Sequence, residues 1–146
     1  MNFGGKRRVV LIDDSGALEP ALGIVLQQAG CETQRAGGTV DVAEVCKFSP
    51  DAILVDLASG RGPDGLDAVR RLREMPDLNH VVIAGLTEPL APSALEAARS
   101  AGCARLFFKP IDADEVAKFM LSIDRRRHVV NDWPVERERR ATMDRG

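Results

Sequence analysis

Apolar residues along this chain follow two alternating rhythms. Arg8-Val9-Val10-Leu11-Ile12 is a short, nearly unbroken apolar run, the pattern of a parallel strand buried on both faces. Leu18, Ala21, Leu22, Val25 and Leu26 follow at helical spacing, and Gly30 stops them. Pro20 belongs in that helix's first turn, because deeper inside it would remove a backbone hydrogen bond. The rhythm then repeats. Cys31 to Ala36 is a shorter, more polar strand suited to a sheet edge, and a helix from about Thr39 to Phe48 ends before Ser49-Pro50. Ala52-Ile53-Leu54-Val55 is a second deeply buried strand, and a Gly-rich loop from Ser59 to Gly62 leads to a helix carrying Leu66, Val69 and Leu72. His80 to Ala84 is a strand, and Ser93 caps a helix reaching about Ser100. Ala104 to Phe108 is the last strand. Asp112 caps the final helix, with Glu115 in the capping-box position and Val116, Phe119, Met120 and Ile123 on one face.

Five strand–helix units of this kind predict an α/β fold of three αβα layers. Its core is a doubly wound, five-stranded parallel sheet of flavodoxin-like type with strand order 2-1-3-4-5. The periodicity gives way near residue 124, so a domain over 7–124 is followed by a charged, solvated extension over 125–146. That extension holds seven Arg against four acids, a net +3, which with the whole-chain charge of −2 leaves −5 for residues 1–124. Three arginines (Arg125-Arg126-Arg127) without a helix-turn-helix pattern are weak grounds for nucleic-acid binding. Trp133, the only Trp, is a candidate anchor against a partner or a second subunit. Cys31, Cys46 and Cys103 are odd in number and widely spaced, which suggests small buried residues in a reducing compartment rather than a disulfide or zinc site. No apolar run approaches the ~20 residues that span a bilayer, and Asp13-Asp14 interrupts the first run too early for a signal peptide. A cytoplasmic location is expected, with no membrane partner.

In an open α/β sheet the chemistry sits beyond the carboxyl ends of the strands. Strand one ends there in Asp13-Asp14, strand three in Asp56, strand four in Thr87 and strand five in Lys109. Carboxylates gathered on one rim repel, and a small hard cation relieves this; carboxylate, carbonyl and water ligands suit Mg²⁺. A cation, an ammonium and a hydroxyl around one carboxylate are what phosphoryl transfer to that carboxylate requires. Taken singly, each residue has a plainer reading. Asp13-Asp14 could be a cap or turn, Asp56 a turn residue, Thr87 a helix cap and Lys109 a solvated charge. Their convergence from four strands favours the chemical reading.

Asp13-Asp14, Asp56, Asp64-Gly65, Thr87 and Lys109-Pro110, in this order and spacing, resemble the response-regulator receiver family (CheY-like superfamily), in its stand-alone form, over roughly residues 7–124. The resemblance implies that Asp56 is the phosphoacceptor. It also implies that Asp14, Asp56 and the Ala58 backbone carbonyl bind Mg²⁺, with Asp13 acting largely through water. Thr87 and Lys109 would contact the phosphoryl oxygens, and the Lys109-Pro110 peptide would be cis. Implied partners are a sensor histidine kinase or phosphotransfer protein and a downstream protein target, with a homodimer open. The implied role is signalling rather than enzymatic, apart from possible autophosphorylation and autodephosphorylation. Ala94, Ala98, Leu106 and Val116 mark the surface where family members usually present their altered face.

Three positions depart from the family pattern. Leu106 stands where an aromatic is usual, and Phe107 next to it must face the other side of the strand. Glu88 replaces a commonly small residue after Thr87, and the loop after Asp56 is one residue longer and Gly-rich. These keep open a second reading, a non-switching interaction module on the same fold. A Mg²⁺-dependent phosphohydrolase would need a general acid near Asp56, and neither His80 nor His128 falls on the rim. Flavin binding would need a phosphate-cradling loop after strand one, which is lacking.

Overall fold

A computed structural model describes residues 5–13, 20–36, 41–57 and 64–123. Asp14, Leu18, Thr39, Ala58, the Ser59–Gly62 loop and the extension over 125–146, Trp133 included, lie outside the described residues. Five strands, β1 (Arg8–Ile12), β2 (Glu32–Ala36), β3 (Ala52–Asp56), β4 (Val82–Thr87) and β5 (Arg105–Phe108), form one sheet in the order β2-β1-β3-β4-β5. Every neighbouring pair is parallel. Five α-helices connect and cover them: α1 (Pro20–Gln28), α2 (Val42–Phe48), α3 (Asp64–Arg73), α4 (Pro92–Ala101) and α5 (Ala113–Ser122). The strand order and doubly wound layering are those expected from the alternation.

Strand alternation splits the core in two. Val10, Ile12, Ile53, Val55, Ile83 and Leu106 face α2, α3 and α4. Val9, Leu11, Leu54, Leu86 and Phe107 face α1 and α5. The outer strand β2 is the most polar, with no buried residue, as befits an edge. In α1, Leu22 and Leu26 are buried and Val25 is half-buried, while Ala21 is exposed. Gly30, at φ 97, closes that helix, with Cys31 N–H donating to Leu26 O.

Four local expectations shift. The strand expected over His80–Ala84 runs instead over Val82–Thr87. Pro76–Leu78 forms a 3₁₀ turn whose Leu78 carbonyl takes the Val81 N–H, so the ladder begins only where Val82 N–H reaches Asp51 O. Helix α2 begins at Val42, after Asp41, whose carboxylate accepts from Ala43 N and Glu44 N. Ser93 is not the cap of α4. Ala91 holds that position without a side-chain bond, and Pro92 takes the first helical place, where its missing N–H costs nothing. Asp112 does cap α5, but Glu115 does not complete a capping box; its carboxylate bonds Arg105 Nη2 at 3.0 Å.

A half-buried arginine ties the lower end of the α3 side together. Arg73 donates to Gly102 O from Nε (3.1 Å) and Nη2 (2.9 Å), and from Nη1 to Leu78 O (3.1 Å) and Val81 O (2.8 Å). The helical pattern gave no hint of this role, since arginine in a last helical turn is ordinarily a solvated charge.

Candidate functional site

The register of the sheet brings the predicted rim residues together. Ile12 pairs with Val55, so the next residues, Asp13 and Asp56, leave neighbouring strands side by side. Asp56 pairs with Leu86 and Thr87 with Phe108, and Lys109 N–H donates to Thr87 O at 2.8 Å. Four strands thus deliver Asp13, Asp56, Thr87 and Lys109 to one edge. Three of them are deeply set: Asp13 is 7%, Asp56 4% and Thr87 1% exposed. Buried carboxylates need partners, and Lys109 supplies one. Its Nζ stands 3.2 Å from both Asp56 Oδ1 and Oδ2, an even bridge from a half-exposed ammonium to a buried carboxylate. The Lys109-Pro110 peptide is cis, as expected.

Thr87 is on the rim, but its hydroxyl donates to the Glu88 backbone carbonyl at 2.9 Å rather than to an aspartate. Glu88 itself is exposed. Asp14 and the Ala58 carbonyl, two of the four expected Mg²⁺ ligands, lie outside the described residues. Among the described residues no group of three or more His, Cys, Asp and Glu side chains forms a complete metal site. The described half of the set still fits a hard cation. Asp13 and Asp56 are oxygen donors held together by neighbouring strands, the ligand type that Mg²⁺ takes.

Beneath the rim, two glycines fix the spacing. A Cβ on Gly65 would sit 2.5 Å from Leu57 Cα and 2.7 Å from Asp56 O, so α3 presses directly on the backbone that carries Asp56. This accounts for Gly65 on packing grounds alone. A Cβ on Gly85 would meet Leu57 Cδ1 at 2.6 Å and Leu106 Cδ2 at 2.7 Å. Leu57, the neighbour of Asp56, and Leu106, on β5, therefore interlock over a bare stretch of β4. Sequence reasoning missed this pair; glycine inside a strand was the available signal, since it marks close approach.

Leu106 is 2% exposed and Phe107 4%, on opposite faces of the sheet, so Phe107 does not replace an aromatic at 106. The surface expected at Ala94, Ala98, Leu106 and Val116 needs correcting. Ala98, Leu106 and Val116 are buried, and only Ala94 reaches solvent, in part. The reason is periodicity: apolar positions on α4 and α5 are the ones that pack on the sheet.

A family model of the response regulator receiver domain matches residues 9–120, a stretch that reaches from β1 into α5. The chain belongs to the response regulator receiver family. Receiver domains are signalling domains of two-component systems, and phosphorylation and Mg²⁺ are typical of them. This receiver resembles the chemotaxis protein CheY4 of Vibrio cholerae, with a TM-score of 0.72 and 22% identity over 82% of this chain and 100% of that one. A putative response regulator from Chloroflexus aurantiacus aligns with a TM-score of 0.65 and 27% identity, over 81% of this chain and 97% of the other. A Burkholderia pseudomallei response regulator, solved with a phosphorylated aspartic acid, calcium ion and citrate, aligns at 0.62 and 21% identity, over 82% of this chain and 68% of its own. In sequence, the receiver is 33% identical over 91 residues to protein-glutamate methylesterase/protein-glutamine glutaminase 1 of Anaeromyxobacter dehalogenans, covering 62% of this chain. It spans 26% of that relative's length. No helix among the described residues is long and apolar enough to cross a membrane.

Proposed function

We propose that this receiver accepts a phosphoryl group on Asp56 from a histidine kinase or phosphotransfer protein, with Mg²⁺, and signals by protein contact. The observation that carries the reading is the even 3.2 Å bridge of Lys109 Nζ to both oxygens of a nearly inaccessible Asp56. Such a bridge holds the carboxylate in place and leaves a cation beside the position where phosphoryl oxygens gain charge. Asp13, Asp14, Asp56 and the Ala58 carbonyl are the proposed Mg²⁺ ligands; the ion would offset negative charge on the aspartates and the incoming group. Thr87 is proposed as the hydroxyl donor, which requires its bond to Glu88 O to break. The domain is assigned to 7–124, with 125–146 as a separate extension, in a cytoplasmic protein. The phosphorylated Burkholderia relative supports the same chemistry here by analogy.

A second reading, a receiver-like interaction module that is not phosphorylated, is favoured by one observation. Leu106 is clamped by Leu57 over Gly85, where the family's usual aromatic would rotate. Incubation with Mg²⁺ and acetyl phosphate, read by intact mass, separates the two. Gain of one phosphoryl group by the wild type and not by Asp56→Asn is the expected result. No gain, under conditions that label another receiver, sinks the first reading and leaves the second.

A further inference from the structure

The edge that carries Asp56 also carries an acid that the proposed chemistry leaves unused. Glu88 follows Thr87 directly at the carboxyl end of β4, and its side chain is exposed. Among the described residues its carboxylate enters no ion pair. Its backbone is held to the rim, because Thr87 Oγ1 donates to Glu88 O at 2.9 Å, and Pro89 restricts Glu88 to extended conformations. The sheet register fixes where it stands. Asp56 pairs with Leu86. Two residues further along β4, at ~3.3 Å each, and one strand spacing of ~4.8 Å across place the Glu88 backbone about 8 Å from that of Asp56. Glu88 therefore lies further out on the same edge, on the solvent side, from which a donor must approach a carboxylate that is only 4% exposed.

We propose that Glu88 selects among phosphoryl donors by charge, disfavouring free dianionic donors relative to donors that carry a compensating positive charge. The inference rests on Asp56 being the phosphoacceptor. In the transfer, an Asp56 carboxylate oxygen forms a bond to phosphorus while the bond from phosphorus to the leaving group breaks, and the leaving group keeps that electron pair. Acetyl phosphate is a dianion near neutral pH and releases acetate. Phosphoramidate is a monoanion, because its nitrogen is an ammonium, and it releases ammonia. Repulsion between Glu88 and the arriving donor thus acts about twice as strongly on the first as on the second. A separation of about 8 Å lies within the screening length of dilute salt and well beyond the ~3 Å of ~1 M salt. A protein donor meets the same condition with Lys or Arg beside its phosphohistidine, and the exposed Glu88 then speeds association instead of opposing it.

The measurement is the second-order rate of labelling by each donor with Mg²⁺, followed by intact mass, for the full chain, Glu88→Gln and Glu74→Gln. Glutamine keeps the volume of the side chain and the backbone carbonyl that Thr87 uses, so charge alone changes. Glu74 is an exposed acid just past α3, beside Arg73 and so near the amino ends of the strands. At ~0.03 M ionic strength Glu88→Gln should raise the acetyl phosphate rate about threefold and the phosphoramidate rate by under about twofold, both gains vanishing at ~1 M. Glu74→Gln should change neither rate. Equal gains with the two donors, a gain that persists in high salt, or labelling that is intact and indifferent to Glu88→Gln would each overturn the proposal. Labelling of neither the wild type nor Glu88→Gln by either donor would overturn the Asp56 reading itself, and this inference with it.

Discussion

Gly85 and Leu106 illustrate how one missing methyl group organises the space under the rim. The side chains of Leu57 and Leu106 occupy the volume that a Cβ at 85 would need. Gly85→Ala should therefore destabilise the fold by about 1–3 kcal/mol through overpacking. Leu106→Ala should cost about 2–5 kcal/mol by opening a cavity. The double variant should cost clearly less than the two together, because the new methyl fills part of the space that Leu106 vacates. Urea unfolding of the four proteins tests this, and simple additivity would show that the two sites do not share a volume. Cys103 offers a second test at this scale. Burial pushes its thiol from 9.0 up to about 12, partly offset by the Arg73 guanidinium. Below pH 9.0 both folded and unfolded chains hold the proton, so Cys103 contributes no slope. Between 9.0 and about 12 only the unfolded chain releases it, and stability falls as pH rises. Cys103→Ala should flatten that part of the stability profile. In the native protein, half-buried Cys46 should alkylate before buried Cys31 and Cys103.

At the scale of elements, the helices are held by bonds that hydrophobic periodicity does not encode. Arg73 closes the space between the end of α3, the Pro76–Leu78 turn and the α4–β5 connection by serving three carbonyls at once. Its neutral replacement would remove these bonds, although Leu78 O keeps the Val81 N–H, and each buried group left unmade costs about 1–3 kcal/mol. Arg73→Met should thus lower stability by several times the effect of removing an exposed arginine such as Arg70, measured by denaturant midpoint. Burial lowers the Arg73 pKa, but the side chain stays ionised across the accessible range. The cap of α5 belongs to the same scale. Asp112→Ala should cost about 1 kcal/mol through loss of the bonds to Asp114 N and Glu115 N. The Glu115–Arg105 pair, with Glu115 half exposed, is worth much less.

For the whole molecule, the arrangement of strands makes one edge the chemical edge. Carboxylates from β1 and β3 and the ammonium after β5 meet only because the parallel register carries every strand's carboxyl end to the same side. If Asp13 and Asp56 share a Mg²⁺ ion, that ion binds the folded chain alone, and thermal unfolding should shift upward with Mg²⁺ concentration. Asp13→Asn and Asp56→Asn should each reduce the shift. A midpoint indifferent to Mg²⁺ in the wild type would argue against the metal assignment. EDTA should abolish labelling by acetyl phosphate for the same reason.

How much of this was legible in the residues follows from which forces were local. The alternation of buried strands and amphipathic helices determined the α/β class and the strand order. Burial on one face or two leaves a period that a sequence shows directly, and chain connectivity then restricts the topology. The convergence of Asp13, Asp56, Thr87 and Lys109 followed as well, because strand ends in a parallel sheet share a side. What only the tertiary structure decided depended on distances between elements remote in sequence. Lys109 bridges both Asp56 oxygens, Thr87 turns its hydroxyl to Glu88, and Arg73 is a half-buried staple rather than a solvated surface charge. The start of β4 at Val82 depended on a 3₁₀ turn that competes for the same backbone groups. The surface expected at Ala98, Leu106 and Val116 proved to be core. A pattern reports that a residue is apolar and in register, but packing against another layer determines whether it is inside.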